Sequence, residues 1–146
     1  MPLLHEPQVR ADIERRIHAL RPDSRARWGK MSVDQMLWHV SEGLAGAVGE
    51  HDLPAGKPPL PPAVLKFIVL NLPWMRGAPT LSVYKAQASH DFGAERSRCL
   101  RLISVLTDRP LEGVWLKHPM LGRMSGRDVS QLQAKHLNHH LKQFGV

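Results

Sequence analysis

The feature of this sequence that most constrains its fold is the recurrence of apolar residues every three or four positions in four separate segments. Such spacing places apolar side chains on one face of an α-helix, because each residue turns the chain by about 100°. The first helix is predicted over Val9–Leu20 and the second from Ser32 to Val48; the third spans Asp91–Leu106 and the fourth Ser125–Phe144. The pattern therefore predicts an all-α protein built as a four-helix bundle.

Two of the predicted helices begin with the same short motif. Met31-Ser32-Val33-Asp34-Gln35 opens the second helix, and Met124-Ser125-Gly126-Arg127-Asp128 opens the last one. A serine at the helix start and an amide or acidic side chain three residues later can satisfy each other's backbone N–H groups. The motif therefore fixes both helix starts.

A long connection, Glu50 to Ser89, separates the second and third predicted helices. It is rich in proline: Pro54, Pro58, Pro59, Pro61, Pro62, Pro73 and Pro79. Loops of this length are uncommon in compact domains unless they cross over or cover something. We expect a crossover between two helix pairs, with a short extra helix over Pro61–Leu72. A second connection, Pro110–Met124, is expected to be irregular.

Length and composition narrow the class of protein. A chain of 146 residues with 42% apolar and 23% charged residues predicts one globular domain, residues 1–146. The single Cys99 excludes an intrachain disulfide and fits a reducing compartment. The apolar stretch Ala63–Leu72 is far shorter than the roughly 20 residues of a membrane span. We therefore expect a soluble cytoplasmic protein with no membrane partner and no secretory signal.

The positive charge of the chain raises the question of whether it binds nucleic acid. Its net charge is +7 and its isoelectric point is near 10.2. The arginines are nevertheless spread along the chain, and no stripe of aromatic residues alternates with them. We therefore expect solvated basic helix faces and no specific nucleic-acid partner.

Two histidines lie in the middle of the apolar face of the last predicted helix. His136 and His140 are one turn apart, separated by about 40° around the axis, with Leu132 and Phe144 to either side. A buried imidazole must be hydrogen-bonded or ligated, since unsatisfied polar burial costs about 1–3 kcal/mol. A spacing of four residues also lets one helix present two imidazoles to one metal ion. Metal binding and a structural role both remain open for this pair.

A third ligand is expected from a facing helix. His39 lies about 60° from Met36, at the edge of the apolar face of the second helix, where its side chain can reach across the bundle. His118 and His139 remain alternatives. Three imidazoles without a carboxylate leave a coordination position open, as in catalytic sites, and zinc and nickel both suit such ligands.

The same residues bear on chemistry. A divalent ion at this site would act as a Lewis acid on bound water or on a thiolate. Cys99 lies on an apolar helix face and is expected to be inert. Gln35, Glu42 and Gln143 are close enough in sequence to support the ligands, but surface or capping roles are favoured for all three.

Two stretches resemble the DinB-like (DinB/YfiT) superfamily: Trp28-Gly29-Lys30-Met31-Ser32 through His39, and the terminal run from His136 to Gly145. The similarity is greatest to a small branch of uncharacterised bacterial proteins, which also carry a His-Pro-x-x-Gly stretch like the one from His118 to Gly122.

This resemblance implies a four-helix bundle, often a homodimer, with a divalent metal held by one histidine of the second helix and two of the last. Those positions match His39, His136 and His140. The wider superfamily includes transferases that use low-molecular-weight thiols and proteins proposed as metal-dependent hydrolases. A small thiol or electrophile is therefore the implied substrate.

The leading hypothesis is accordingly a metalloenzyme whose three-histidine site opens into a pocket between the second and last helices and the long connection. The alternative is a non-catalytic helical bundle, a binding or stress-associated module with structural histidines.

Overall fold

The computed structural model describes residues 1–76 and 88–146, and most of these residues are helical. The helices are α1 (Pro7–Ala19), α2 (Val33–Ala47), α3 (Pro62–Asn71), α4 (Phe92–Thr107) and α5 (Gly126–Gln143). Strands β1 (Val114–His118) and β2 (Gly122–Ser125) form an antiparallel hairpin between α4 and α5. Within the described ranges, no helix has both the length and the apolar character needed to cross a membrane.

The mostly helical class predicted from the sequence is confirmed. Helices α1, α2, α4 and α5 correspond to the four predicted segments, and α3 is the expected short helix inside the long connection. Both predicted capping motifs are present: Gln35 Oε1 accepts from the Ser32 N–H at 3.0 Å, and Asp128 Oδ2 accepts from the Ser125 N–H at 3.0 Å. Pro79, in the same connection, lies outside the described residues.

The expectation of an irregular segment over Pro110–Met124 is wrong, and the all-α prediction fails at this point. Leu116 pairs with Met124, and His118 pairs with Gly122, in an antiparallel register. The His-Pro-x-x-Gly stretch is the turn of this hairpin, and Gly122 adopts a φ of 72°, which glycine tolerates best. His118 Nδ1 accepts from the backbone N–H groups of Met120 and Leu121 at 3.0 and 3.2 Å, which closes the turn.

The core lies where α2 contacts both α4 and α5, while α1 packs against α5. Each helix contributes the apolar positions that its periodicity predicted. The largest side chains that are almost fully buried include Ile17 of α1, Met36, Leu37 and Leu44 of α2, Leu102, Ile103 and Leu106 of α4, and Leu137 and Leu141 of α5. This packing places the middle of α2 beside the middle of α5.

The long connection is fastened to α5 at the end of α3. Gln131 donates to the carbonyl of Leu70 at 2.9 Å, and Lys135 Nζ donates to the carbonyls of Val69 and Leu72. A cation at the last carbonyls of a helix is favourable, since those groups carry partial negative charge. Trp74 follows directly, with its indole N–H bonded to the Val69 carbonyl at 2.8 Å. The connection therefore carries Trp74 to the side of α5 that bears the histidines.

The start of α5 has no room for a side chain at Gly126. A Cβ there would collide with the carbonyl oxygen of Leu111 and stand 2.5 Å from Trp115 Nε1. We expect Gly126→Ala to lower the free energy of unfolding by about 1–3 kcal/mol through overpacking, as measured by urea denaturation. Gly93→Ala is the control, since its Cβ would meet only Asp91 Oδ1 at 3.5 Å. Equal effects of the two substitutions would contradict this account.

Candidate metal centre

Three histidines predicted to share a site are brought together across the contact between α2 and α5. His39 comes from α2, and His136 and His140 come from successive turns of α5. Their ring centroids form a nearly equilateral triangle, with separations of 4.9, 4.7 and 4.9 Å. Nε2 of His39 and Nε2 of His136 are 3.0 Å apart. One nitrogen from each ring lies within 4.8 Å of the other two, close enough for the three to contact one ion.

Burial keeps these imidazoles in the form that binds metals. His39 and His140 are 6% and 8% exposed, and His136 is half-buried. Burial, reinforced by the neighbouring His39, lowers the pKa of His140 to about 3. Burial and the charges of His140 and His39 also hold the pKa of His136 well below its usual range. Both rings are therefore neutral at pH 7, with a lone pair available on one nitrogen.

Gln143 fixes the orientation of His140. Its Nε2 donates to the carbonyl of Trp28 at 2.8 Å, which leaves Oε1 as the acceptor for His140 Nδ1–H at 2.7 Å. With the proton held on Nδ1, the lone pair lies on Nε2. An acceptor of this kind is the usual outer partner of a metal-bound imidazole. The surface or capping role favoured for Gln143 from the sequence is therefore wrong.

Gly43 makes room for the ring of His136. A Cβ at this position of α2 would stand 3.3 Å from His136 Nδ1 and 3.7 Å from Gln133 Oε1. Gln133 is 6% exposed, and its Oε1 is buried without a hydrogen-bond partner among the described residues. The unpaired oxygen of Gln133 and the His136 ring therefore both lie next to Gly43.

A mostly apolar cavity of about 190 Å³ adjoins the histidines. We call it the histidine cavity. Its wall includes His39, Gly43 and Ala47 of α2, Leu53 and Trp74 of the long connection, Leu116, His118 and Met124 of the hairpin, and Val129, Leu132, Gln133 and His136 of α5. The predicted contributions from α2, α5 and the long connection are all present, and the hairpin adds a fourth wall that the sequence analysis did not anticipate.

The alternative ligands do not join the cluster. His118 lines the histidine cavity, but its Nδ1 accepts from the hairpin turn, so that its Nε2 carries the proton and can only donate while the ring is neutral. His139 lies against Trp28 and Trp74, with ring centroids 5.7 Å from each. The cluster of three that could hold an ion excludes both residues.

Three other residues named from the sequence are engaged elsewhere. Gln35 caps α2 as favoured, and Glu42 accepts from Arg98 at 2.6 Å, on the side of α2 that faces α4. Cys99 is fully buried, and burial raises the pKa of its thiol to about 12. A thiol of this kind is not a nucleophile near neutral pH.

Three of the four remaining histidines have structural surroundings of their own. His5 contacts Ser130 Oγ and the Arg109 carbonyl at 2.9 and 2.8 Å. His90 stacks on Trp38 with the ring planes 9° apart. His51 Nε2 lies 3.1 Å from a Glu42 carboxylate oxygen. The nine histidines of the chain are therefore not interchangeable candidates.

Two glutamines flank the ligands; sequence reasoning missed Gln133, and it named Gln143 but favoured a surface or capping role for it. Both lie on the inward face of α5, where Gln133 precedes His136 by three residues and Gln143 follows His140 by three. Residues three apart on a helix are neighbours. A Gln-x-x-His…His-x-x-Gln pattern centred on the apolar face is the signal that could have identified them.

The depressed pKa of His140 predicts acid lability of the metal-free protein. In the unfolded chain His140 takes up a proton below about pH 6.5, whereas in the folded chain it stays neutral until about pH 3. The free energy of unfolding therefore decreases as the pH is lowered from about 6.5 to about 3. This group alone should cost about 2 kcal/mol between pH 7 and pH 5. The free energy of unfolding of His140→Phe, measured by urea denaturation, should fall less steeply over that range. The exposed His18→Phe control should follow the unmodified protein. Identical slopes for all three proteins would contradict the burial argument.

A family model described as "Protein of unknown function (DUF1569)" matches residues 9–145, almost the whole chain. No curated protein and no solved structure gives a significant match.

Proposed function

The chain belongs to the DUF1569 family, and we propose that it is a divalent-metal-binding protein whose ion is held by His39, His136 and His140. The observation that supports this most strongly is the convergence of three imidazole nitrogens within 4.8 Å of one another in a largely buried site. A single ion would bind one nitrogen of each ring and so offset the burial of all three imidazoles.

The spacing of the nitrogens suits a metal. Ligand bonds of about 2.0–2.1 Å in tetrahedral geometry place nitrogens about 3.4 Å apart. The Nε2 atoms of His39 and His136 are 3.0 Å apart, so small side-chain rotations suffice. A set of imidazole donors without a carboxylate or a thiolate favours zinc or nickel over magnesium or calcium.

Two glutamines complete the proposed centre. Gln143 Oε1 accepts from His140 Nδ1, and we propose that Gln133 Oε1 accepts in the same way from His136 Nδ1 when the ion is bound. Both ligands would then have their lone pairs fixed on Nε2. This arrangement gives the orphaned, buried oxygen of Gln133 a partner.

We propose that the centre serves a metal-dependent transferase that uses a low-molecular-weight thiol, or a hydrolase. A divalent ion held by three imidazoles supplies a Lewis acid with an open position. The histidine cavity offers apolar surface to a small substrate beside the ion, and His118 Nε2 can donate to that substrate. Cys99 is too deeply buried to attack, so the nucleophile would come from a bound thiol or from water.

The finer architecture is part of the same proposal. We propose that α1, α2, α4 and α5 form a four-helix bundle and that the family is a branch of the DinB-like superfamily, a bacterial group. One histidine on the second helix and two on the last support this, as does the packing of α2 against both α4 and α5.

A cytoplasmic homodimer remains a prediction; exposed apolar residues on and around α3 offer a surface for it: Leu60, Val64, Phe67 and Leu72.

The metal proposal predicts a stoichiometry and a set of variants that abolish it. Protein purified without an affinity tag should bind one zinc or nickel ion per chain, measured by elemental analysis and by competition with a chromophoric chelator. His39→Ala, His136→Ala and His140→Ala should each weaken binding at least about 100-fold, because each removes one of three ligands. The exposed His18→Ala should bind as the unmodified chain does. Equal metal content in all four variants would end the proposal.

The glutamine proposal has its own variants. Gln133→Leu and Gln143→Leu should each weaken metal affinity by about 10- to 100-fold, the usual effect of removing an outer partner. Gln131→Leu is the matched control on the same helix, because Gln131 donates to the Leu70 carbonyl, away from the cluster. A loss of affinity in Gln131→Leu as large as in the other two would show a general effect on helix stability instead.

Catalysis is tested separately from binding. Metal-loaded protein should turn over either a thiol with a small electrophile or a small ester or amide, and His136→Ala/His140→Ala should not. Stoichiometric metal with no turnover in any panel would favour the alternative, a non-catalytic binding module.

A further inference from the structure

A second groove shares Trp74 with the histidine cavity but has the opposite character. Its volume is about 500 Å³, and it lies between α5 and the segments that precede α2 and follow α3. We call it the basic groove. Among the described residues that line it, four are cationic and none is Asp or Glu: Arg27, Arg76, Lys135 and Lys142.

Six arginines outside the basic groove have carboxylate partners, whereas the cations of the groove have none within the part of the chain that the structure describes. Elsewhere, arginines pair with carboxylates: Arg10 with Glu14, Arg15 and Arg16 with Asp12, Arg21 with Asp23, Arg98 with Glu42 and Arg101 with Glu50. Among the described residues, no carboxylate lies within ion-pair distance of Arg27, Arg76 or Lys142. Residues 77–87 contain no Asp or Glu either. These three side chains therefore have no carboxylate partner among the described residues and can attract an anion.

Several donors of the groove are held in place. The Arg76 guanidinium lies over the Trp28 ring, 4.4 Å from its centroid. Asn138 Oδ1 accepts from Arg16 at 2.9 Å, which leaves the side-chain NH₂ of Asn138 to donate into the groove. Arg16 also donates to the Val146 oxygen at 2.9 Å, so that this acceptor already has one partner. Donors held in position lose less entropy when they bind a ligand.

The groove also offers aromatic surface. Trp28 and Trp74 both line it, with His139 in contact with each of them. Indole rings supply flat apolar contact area, and they stack on planar groups and on cations. The basic groove therefore combines recognition of an anionic head with recognition of a flat apolar body.

We propose that the basic groove binds a small organic anion, a carboxylate or phosphate attached to a planar apolar group. A single strand of nucleic acid fits less well, because a strand needs a track of cations several nucleotides long. Here four cations line a single groove of about 500 Å³, and six arginines elsewhere are paired with carboxylates. The proposal concerns a site other than the histidine cluster and does not depend on metal binding.

The test uses the metal-free full-length chain, so that its outcome is independent of the metal centre. Phenyl phosphate and benzoate are titrated at low salt and followed by NMR of the indole N–H groups. We expect the signals of Trp28 and Trp74 to shift, whereas those of Trp38 and Trp115, which do not line the groove, stay in place. Benzyl alcohol, which lacks the charge, and inorganic phosphate, which lacks the ring, should each bind more weakly.

Variants separate a site from general attraction. Arg27→Gln/Lys142→Gln should weaken binding of the anion by about tenfold or more, since two charged donors are lost. Arg21→Gln/Lys57→Gln removes the same charge from exposed positions outside the groove and should leave binding unchanged. Equal weakening in both variants, tight binding of benzyl alcohol, or no shift with either anion would overturn the proposal. So would tighter binding of a single-stranded oligonucleotide at the same tryptophans.

Discussion

The burial of three imidazoles at the contact between α2 and α5 is the constraint on which the rest of the site depends. Each imidazole has two nitrogens that need partners, and the interior offers few. Gln143 satisfies one nitrogen of His140, and His39 and His136 face each other at 3.0 Å. Gly43 in α2 has no side chain, and this leaves room for the His136 ring. The packing of two helices and the chemistry of the site are thus set by the same few residues.

The less regular parts of the chain shape the surroundings of this cluster. The long connection is fastened to α5 by Gln131 and Lys135, and it brings Trp74 beside His136 and His139. The hairpin between α4 and α5 adds Leu116 and His118 to the wall of the histidine cavity. Trp74 lines that cavity and the basic groove alike. One indole therefore connects an apolar compartment at the histidines with a cationic one beside it.

The sequence predicted the helices and the histidines for a physical reason. Helical periodicity is local, so the apolar face of α5 and the inward direction of His136 and His140 follow from spacing alone. The capping motifs located the starts of α2 and α5 in the same way. His39 was harder to place, since a position at the edge of an apolar face can point toward either neighbour. Its direction is decided by how α2 packs on α5.

The features that sequence reasoning missed depend on contacts between distant residues. Gln143 orients His140 only because its amide is held by the Trp28 carbonyl, 115 residues away in the chain. The strands over Val114–His118 and Gly122–Ser125 are short, and one has an irregular register, so their alternation is too weak to recognise. Gln133 lies on the inward face of α5, but its contact with the Gly43 carbonyl of α2 is not visible in the sequence.

The measurement that tests the central claim most directly is anomalous diffraction from crystals grown with zinc or nickel, recorded on both sides of the absorption edge of the metal. The account predicts one anomalous peak per chain, at about 2.0–2.1 Å from an imidazole nitrogen of each of His39, His136 and His140. A peak coordinated by other residues, or no peak at the cluster in protein saturated with metal, would contradict it.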